Sequence, residues 1–170
     1  MDFLTFAKER YSCRKFSDKP VEKEKIDTII EAGLCSPTAC NFQPYKIWVL
    51  QSEEAVKNAY DVTPCMFGTK IALVVGCDEK IAWVRKFDGK NFADVDGSIV
   101  ATQLMLAIHD VGLETTWVGH FDSPALKEKY PEMADYNLIA MFPIGYAADD
   151  AVPAPLHTQK KAKEEMVKYL

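Results

Sequence analysis

Apolar residues recur along the chain with two different periods, and the alternation between those periods outlines the fold. Near the start, Phe3, Phe6 and Ala7 share one side of a helix with Leu4 at its margin, which predicts a short helix over 2–10. Ile26, Ile29, Ile30, Gly33 and Leu34 repeat at helical spacing behind Val21, and Pro37 marks the point by which that helix has ended. YKIWVLQS (45–52) is rich in aromatic and β-branched residues and reads as a strand. EEAVKNAYDV (53–62) reads as a helix and KIALVVGCD (70–78) as a buried strand. The strongest helical pattern covers 94–113, where Val100, Leu104, Ala107 and Val111 form one stripe with Ile108 beside it. Gly112 is its natural stop, and its few polar residues make it the central, buried helix. ETTWVGHF (114–121) reads as a strand, SPALKEKY (123–130) as a helix capped by Ser123 with Pro124 in its first turn, and NLIAMFPIGYA (137–147) as a strand.

Helices that alternate with strands around a hydrophobic helix predict an α/β or α+β sandwich of helices about one sheet. The 170 residues supply one core and too few residues for two, so a single domain over 1–170 is expected. No internal repeat or low-complexity linker interrupts it. Residues 81–94 have mixed character and read as a loop or lid. The tail, 152–170, holds two prolines ahead of a charged segment and is the one stretch suited to leaving its own domain for a partner subunit.

Composition narrows the function classes. Hydrophobic residues make up 48% and charged residues 26%, the balance of a soluble globular protein. The net charge of −5 disfavours a general role on nucleic acid, which wants a broad basic face. No apolar run approaches the ~20 residues of a membrane helix. No signal-peptide pattern opens the chain, so a cytoplasmic protein with no membrane partner is expected. Five cysteines, an odd number with no C-x-x-C pair, argue against a disulfide scaffold or a zinc site. They read as small buried or half-buried thiols. The dinucleotide, P-loop, zinc-protease and serine-hydrolase fingerprints are all absent, and His109, His120 and His157 are scattered. Neither a catalytic triad nor a metal cluster is visible.

Against that acidic background, RYSCRKFS (10–17) stands out. Arg10 and Arg14 lie four apart with Ser12 between them, a spacing that can offer guanidinium forks and a hydroxyl to a phosphate monoester. The same residues could equally be a solvated helix end, where cations suit the dipole. CSPTACNFQPYK (35–46) strings Ser36, Thr38, Asn41 and Gln43 around two prolines, either as a polar ligand loop or as an ordinary helix-to-strand connection. Gly119, inside TTWVGHF, marks either a close approach of backbone to a flat or bulky group or a bulge.

Taken together and in order, RYSCRKFSDKPV, AGLCSPTACNFQPYKIWVL, DGSIVATQLMLAIHDVGLETTWVGHFD and FPIGYAADDAVPAPLHTQKKAKEEMV resemble the short form of the FMN-dependent nitroreductase family over nearly the whole chain. The resemblance implies an α+β, three-layer α/β/α sandwich with a central, mostly antiparallel sheet and a buried central helix. It implies a homodimer with two FMN sites at its interface, each built from both chains. By that likeness Arg10 and Ser12 would meet the phosphate and ribityl end, and Arg14 the N1/O2 edge of the ring. Pro37, Thr38, Ala39 and Asn41 would come from the other chain, with Gln43 on the same loop. Gly119, flanked by Val118 and His120, would present backbone near N5. Lys160 and Lys161 would close on the phosphate where relatives often use arginine, as point charges without the bidentate fork. Arg14 at the ring would stabilise the reduced flavin and tune its potential.

The implied activity is hydride transfer from NADH or NADPH through FMN to a nitroaromatic, quinone or related acceptor, with no dedicated catalytic side chain and no metal. The nicotinamide would only visit, in keeping with the missing dinucleotide fingerprint. Trp83, Phe87 and Phe92 could stack on the acceptor or simply anchor their loop. Two other readings stay open from the residues: a flavin-binding store or sensor with little turnover, and a dehalogenase or flavin-cleaving relative, which usually carries additional lid residues.

Overall fold

A computed structural model describes residues 2–170. The elements run α1 (Phe3–Glu9), α2 (Lys23–Leu34), β1 (Tyr45–Leu50), α3 (Glu53–Val62), β2 (Ala72–Cys77), α4 (Ala93–Asp110), β3 (Glu114–Thr115), α5 (Ser123–Lys129), β4 (Asn137–Gly145) and α6 (Lys163–Met166). The four strands lie in the order β1-β2-β4-β3, and every neighbouring pair is antiparallel. β2 is buried at all six positions because both of its faces are covered.

The pleat of β2 sorts its side chains into two cores. Leu73 and Val75 join Ile26 and Ile29 of α2 and Val100, Leu104 and Ile108 of α4 on one face. Ala72 and Val74 join Leu50, Ala59, Val62 and Leu126 on the other, beneath α3 and α5. The result is the expected three-layer α/β/α sandwich. A bulge at Ile139, where Val75 pairs with Ala140 but Gly76 pairs with Leu138, changes which β4 residues face which core.

α4 is central, as its pattern predicts. Val100, Ala101, Leu104 and Ile108 are fully buried, whereas Ile99, Thr102 and Gln103 leave its outer stripe open. It ends where Gly112 takes φ +75°, the left-handed conformation that closes helices. The first turn of α4 lies at the start of β4, where Asn137 Nδ2 donates to Asp94 Oδ1 (2.6 Å), and its last turn leads through Gly112 into β3, which pairs with the end of β4.

Three expectations need correction. The strand over 114–121 shrinks to Glu114–Thr115 plus a single bridge between Val118 and Met141. The physical reason lies across the sheet end: the Thr63 hydroxyl donates to His120 O (2.6 Å) and Asp122 N–H donates to Val62 O (2.9 Å), drawing 120–122 towards the end of α3 and away from the ladder. The cap of α5 is Asp122, whose Oδ1 accepts Ala125 N–H (3.0 Å), and Ser123 is the first helical residue. Of residues 81–94, 81–92 form a compact turn, with Val84 bridged to Asn91 and Trp83 edge-on to Phe92 at 4.9 Å, and 93–94 already belong to α4. The cysteines divide: Cys13 and Cys77 are buried and Cys65 half-buried, but Cys35 and Cys40 are exposed. Among the described residues no helix is long and apolar enough to cross a membrane.

Candidate functional site

The cationic segment begins where α1 stops. Asp2 caps α1 through Thr5, and Arg10 is the C-terminal cap, its N–H on Phe6 O (3.1 Å). Beyond Arg10 the chain runs extended beside the sheet end: Cys13 N–H donates to Thr115 O (3.0 Å), Phe16 bridges Ala147, and Ser17 N–H donates to Tyr146 O (2.9 Å). Alternation then turns Cys13 inwards and Arg14 outwards. Arg14 is exposed and donates through Nη1 to Ser12 O (3.2 Å). Lys15 is exposed and paired with Asp150.

Arg10 differs from its neighbours. Its Nη1 is buried and has no hydrogen-bond partner among the described residues. A solvated helix end would not place a guanidinium nitrogen this way, because a buried donor left unpaired costs about 1–3 kcal/mol, more when charged. An arriving anion would remove that cost. The donor therefore fits a phosphate monoester. Gly119 supplies the second sign of fit. It is exposed, and a Cβ added there would meet nothing within 4 Å, so its backbone faces open space. Val118 beside it is buried and tied to Met141 in both directions (2.9 and 3.0 Å), while His120 is exposed.

Behind Arg10 lies a polar cluster that the linear pattern did not reveal. Glu114 Oε1 meets His109 Nδ1 at 3.0 Å, and the Phe6 ring sits 5.0 Å from the imidazole. Burial pushes the Glu114 carboxyl up, and the charges of His109 and Arg10 partly restrain it. The Tyr11 hydroxyl lies 3.8 Å from Cys13 Sγ, and burial first, then that contact, push it up to about 12.

The 37–43 loop sits at the opposite end of α4. Ala39 N–H donates to Asp96 Oδ1 (2.9 Å), and Asp96 is 1% exposed in the first turn of that helix. Thr38 Oγ1 accepts Gln43 N–H (3.0 Å), and Gln43 Nε2 reaches Asn41 O (3.4 Å). Cys40, Asn41 and Gln43 all have φ between 51° and 57°, a left-handed conformation that non-glycine residues adopt at a cost. Pro37 is exposed and Ala39 half-buried. Asp96 and His109 are 13 residues apart on α4, about 20 Å along its axis. One chain therefore brings Arg10, Ser12 and Arg14 together near Glu114–Thr115, and holds 37–43 well away from them.

Lys160 and Lys161 are exposed. The turn before them is tied to the cationic end, because His157 Nε2–H donates to Lys8 O (3.0 Å) and the Tyr11 ring meets the imidazole edge-on at 6.4 Å. That leaves the two lysines about 10–14 Å of chain from this anchor. In the 81–94 turn, Trp83 and Phe92 are spent on each other, and Phe87 at the tip is 97% exposed. Among the described residues no group of three or more His, Cys, Asp or Glu side chains could hold a metal ion.

The comparisons with known proteins bear on this arrangement. The family model described as the Nitroreductase family matches residues 7–72. A nitroreductase family protein of Clostridium difficile 630, solved as a crystal structure, is 30% identical over 99% of this chain and 98% of its own, with a TM-score of 0.91. A protein of Methanothermobacter thermautotrophicus, named as an NADH dehydrogenase/NAD(P)H nitroreductase, is 29% identical over 88% of this chain and 80% of its own. A protein of Exiguobacterium sibiricum 255-15, solved in complex with FMN, shares the fold with a TM-score of 0.85 over 100% of this chain and 98% of its own, at 19% identity.

Proposed function

The chain belongs to the nitroreductase family, a family of oxidoreductases, and from that premise we propose that it binds FMN and passes electrons from NADH or NADPH to a nitroaromatic, quinone or related small-molecule acceptor. The observation that carries this reading is the buried, unpartnered Nη1 of Arg10, a charged donor that an arriving phosphate would satisfy. FMN, when bound, supplies the hydride and electron chemistry. The protein binds and orients. Arg10 and the Ser12 hydroxyl hold the phosphate, which carries about −1.5 to −2 charge at neutral pH. Arg14 places a positive charge at the N1/O2 edge of the ring. The Val118–His120 backbone, fixed on one side by Met141 and on the other by Thr63, orients the ring beside Gly119.

The site is completed by a second copy. The 20 Å of α4 between the two halves favours Pro37, Thr38, Ala39, Asn41 and Gln43 reaching the flavin of the partner subunit. Apolar residues on the outer surface are suited to being covered: Phe3 is 71% exposed, Leu4 62% and Leu34 53%. Val152, Leu156, Met166 and Tyr169 of the tail are also exposed, which favours the tail lying on the partner with Lys160 or Lys161 at the phosphate.

The test is the visible spectrum of the purified protein loaded with FMN, recorded without oxygen before and after NADH or NADPH. Bleaching identifies the donor, and reoxidation by a nitroaromatic or quinone identifies the acceptor class. A bound flavin that neither nucleotide reduces overturns the oxidoreductase reading in favour of a store or sensor. The Gly119→Val variant sharpens the site assignment. Its side chain enters open space, so thermal stability holds while flavin binding falls at least tenfold.

A further inference from the structure

We propose that Glu114 and His109 are part of the phosphate site, forming a proton-taking counter-charge behind Arg10, so that binding the FMN phosphate draws a solvent proton into the pair. This rests on the FMN reading above.

The geometry carries it in three steps. First, Glu114 opens β3 and His109 closes the last turn of α4, and the reversal at Gly112 brings their side chains together at 3.0 Å. Each side chain is 16% exposed. Second, Oε2 of Glu114 is buried without a hydrogen-bond partner, and so is Nη1 of Arg10. These two groups carry opposite charge and feel one another, yet they make no ion pair. Arg10 is thus held near a negative charge while its donor stays free. Third, few other ionisable groups face the carboxylate. Arg10 and Tyr11 approach from the segment after α1, and His109 approaches from α4. Cys13 and the tail's His157 reach only as far as Tyr11.

In the free protein, the positive charge of Arg10 helps keep Glu114 ionised despite its burial. A phosphate on Arg10 cancels that help and adds a like charge nearby. Like charges disfavour ionisation, and the closest place to relieve the strain is the Oε1···Nδ1 pair. One proton from water enters the pair, at the carboxylate's free Oε2 or the far ring nitrogen, forming an O–H or N–H bond that belongs to the pair as a unit. No other bond changes. The affinity for FMN therefore falls as pH rises, whereas riboflavin, which lacks the phosphate, binds without this dependence.

Calorimetric titration of the full chain tests this at pH 8, in two buffers that differ in ionisation enthalpy, with FMN and with riboflavin as the probes. At that pH the free phosphate, with its second pKa near ~6, is already dianionic, so any proton taken up goes to the protein. The expected result is net proton uptake with FMN and none with riboflavin. The double variant Glu114→Gln/His109→Asn should bind FMN with no buffer dependence. FMN binding by the wild-type chain with no proton uptake overturns the proposal, as does equal uptake in the double variant. If the double variant fails to fold, the wild-type contrast between FMN and riboflavin decides alone. Absence of any FMN binding removes the flavin reading, and the proposal with it, which separates that failure from FMN binding without a proton.

Discussion

The two ends of α4 prepare for a ligand in opposite ways. At the Arg10 end the preparation is electrostatic: a buried guanidinium nitrogen has no partner, and a half-buried carboxylate and imidazole lie near it. At the Asp96 end it is conformational. Three left-handed residues are held in place by one buried carboxylate oxygen and one threonine hydroxyl, with no cation in the loop. On the proposed function, the first end would read charge and the second shape. A flavin mononucleotide has one part for each, and the two ends should respond differently when that part is missing.

The largest effect follows from removing the charge reader. Arg10→Ala deletes charge-assisted hydrogen bonds to a dianion, worth about 2–3 kcal/mol, so FMN should bind roughly 30- to 150-fold more weakly. Riboflavin affinity should change little. Fluorescence titration with both flavins measures the contrast, and an equal loss for the two would show that Arg10 serves the fold and not the phosphate.

The shape reader predicts the reverse pattern. Asp96→Ala removes the acceptor of Ala39 N–H, and left-handed residues that cost about 1 kcal/mol each then relax. FMN and riboflavin should weaken together, by roughly 5- to 30-fold, for a loss of about 1–2 kcal/mol. Asp96→Asn keeps an oxygen at Oδ1 and should restore most of the binding. A loss confined to FMN would break the division between the two ends.

Arg14 tests the ring within the charged end. Arg14→Ala should leave affinity nearly unchanged and lower the flavin midpoint potential by about 30–60 mV, the equivalent of ~1.4–2.8 kcal/mol for two electrons. A spectroelectrochemical titration of the loaded protein reads the shift, and an unchanged potential would remove Arg14 from the ring.

How legible these features were in the sequence depended on whether they are periodic. Helices α2 and α4 and strands β2 and β4 bury one or both faces through regular spacing, so their patterns alone place them and the three-layer sandwich follows. The cation cluster was legible as charge but not as burial. Arg10 and Arg14 look alike in sequence, but Arg10 sits at the C-cap of α1 with Nη1 buried, whereas the extended path beside Thr115 and Ala147 turns Arg14 outwards. Asp96 was hidden because an acid near the start of a helix reads as a dipole partner. The strand expected over 114–121 alternates convincingly, yet a hydroxyl on another element, Thr63, competes for its backbone. Local patterning carries no information about such a competitor.

Thr63 accordingly gives the smallest and most discriminating effect. Its hydroxyl is 3% exposed, donates to His120 O at 2.6 Å and accepts Cys65 N–H at 3.1 Å. Thr63→Val keeps the shape and removes both bonds, a loss of about 1 kcal/mol each at most. Unfolding should shift down by a few degrees, about 2–4 °C per kcal/mol for a chain of this size. Because His120 follows Gly119, the same change should loosen the ring and weaken FMN and riboflavin equally, by roughly two- to fivefold. Thr63→Ser should recover both quantities. A Thr63→Val protein with lower thermal stability but unaltered flavin affinity would confine Thr63 to holding the fold, and the orientation of Gly119 would then rest on the Val118–Met141 bridge alone.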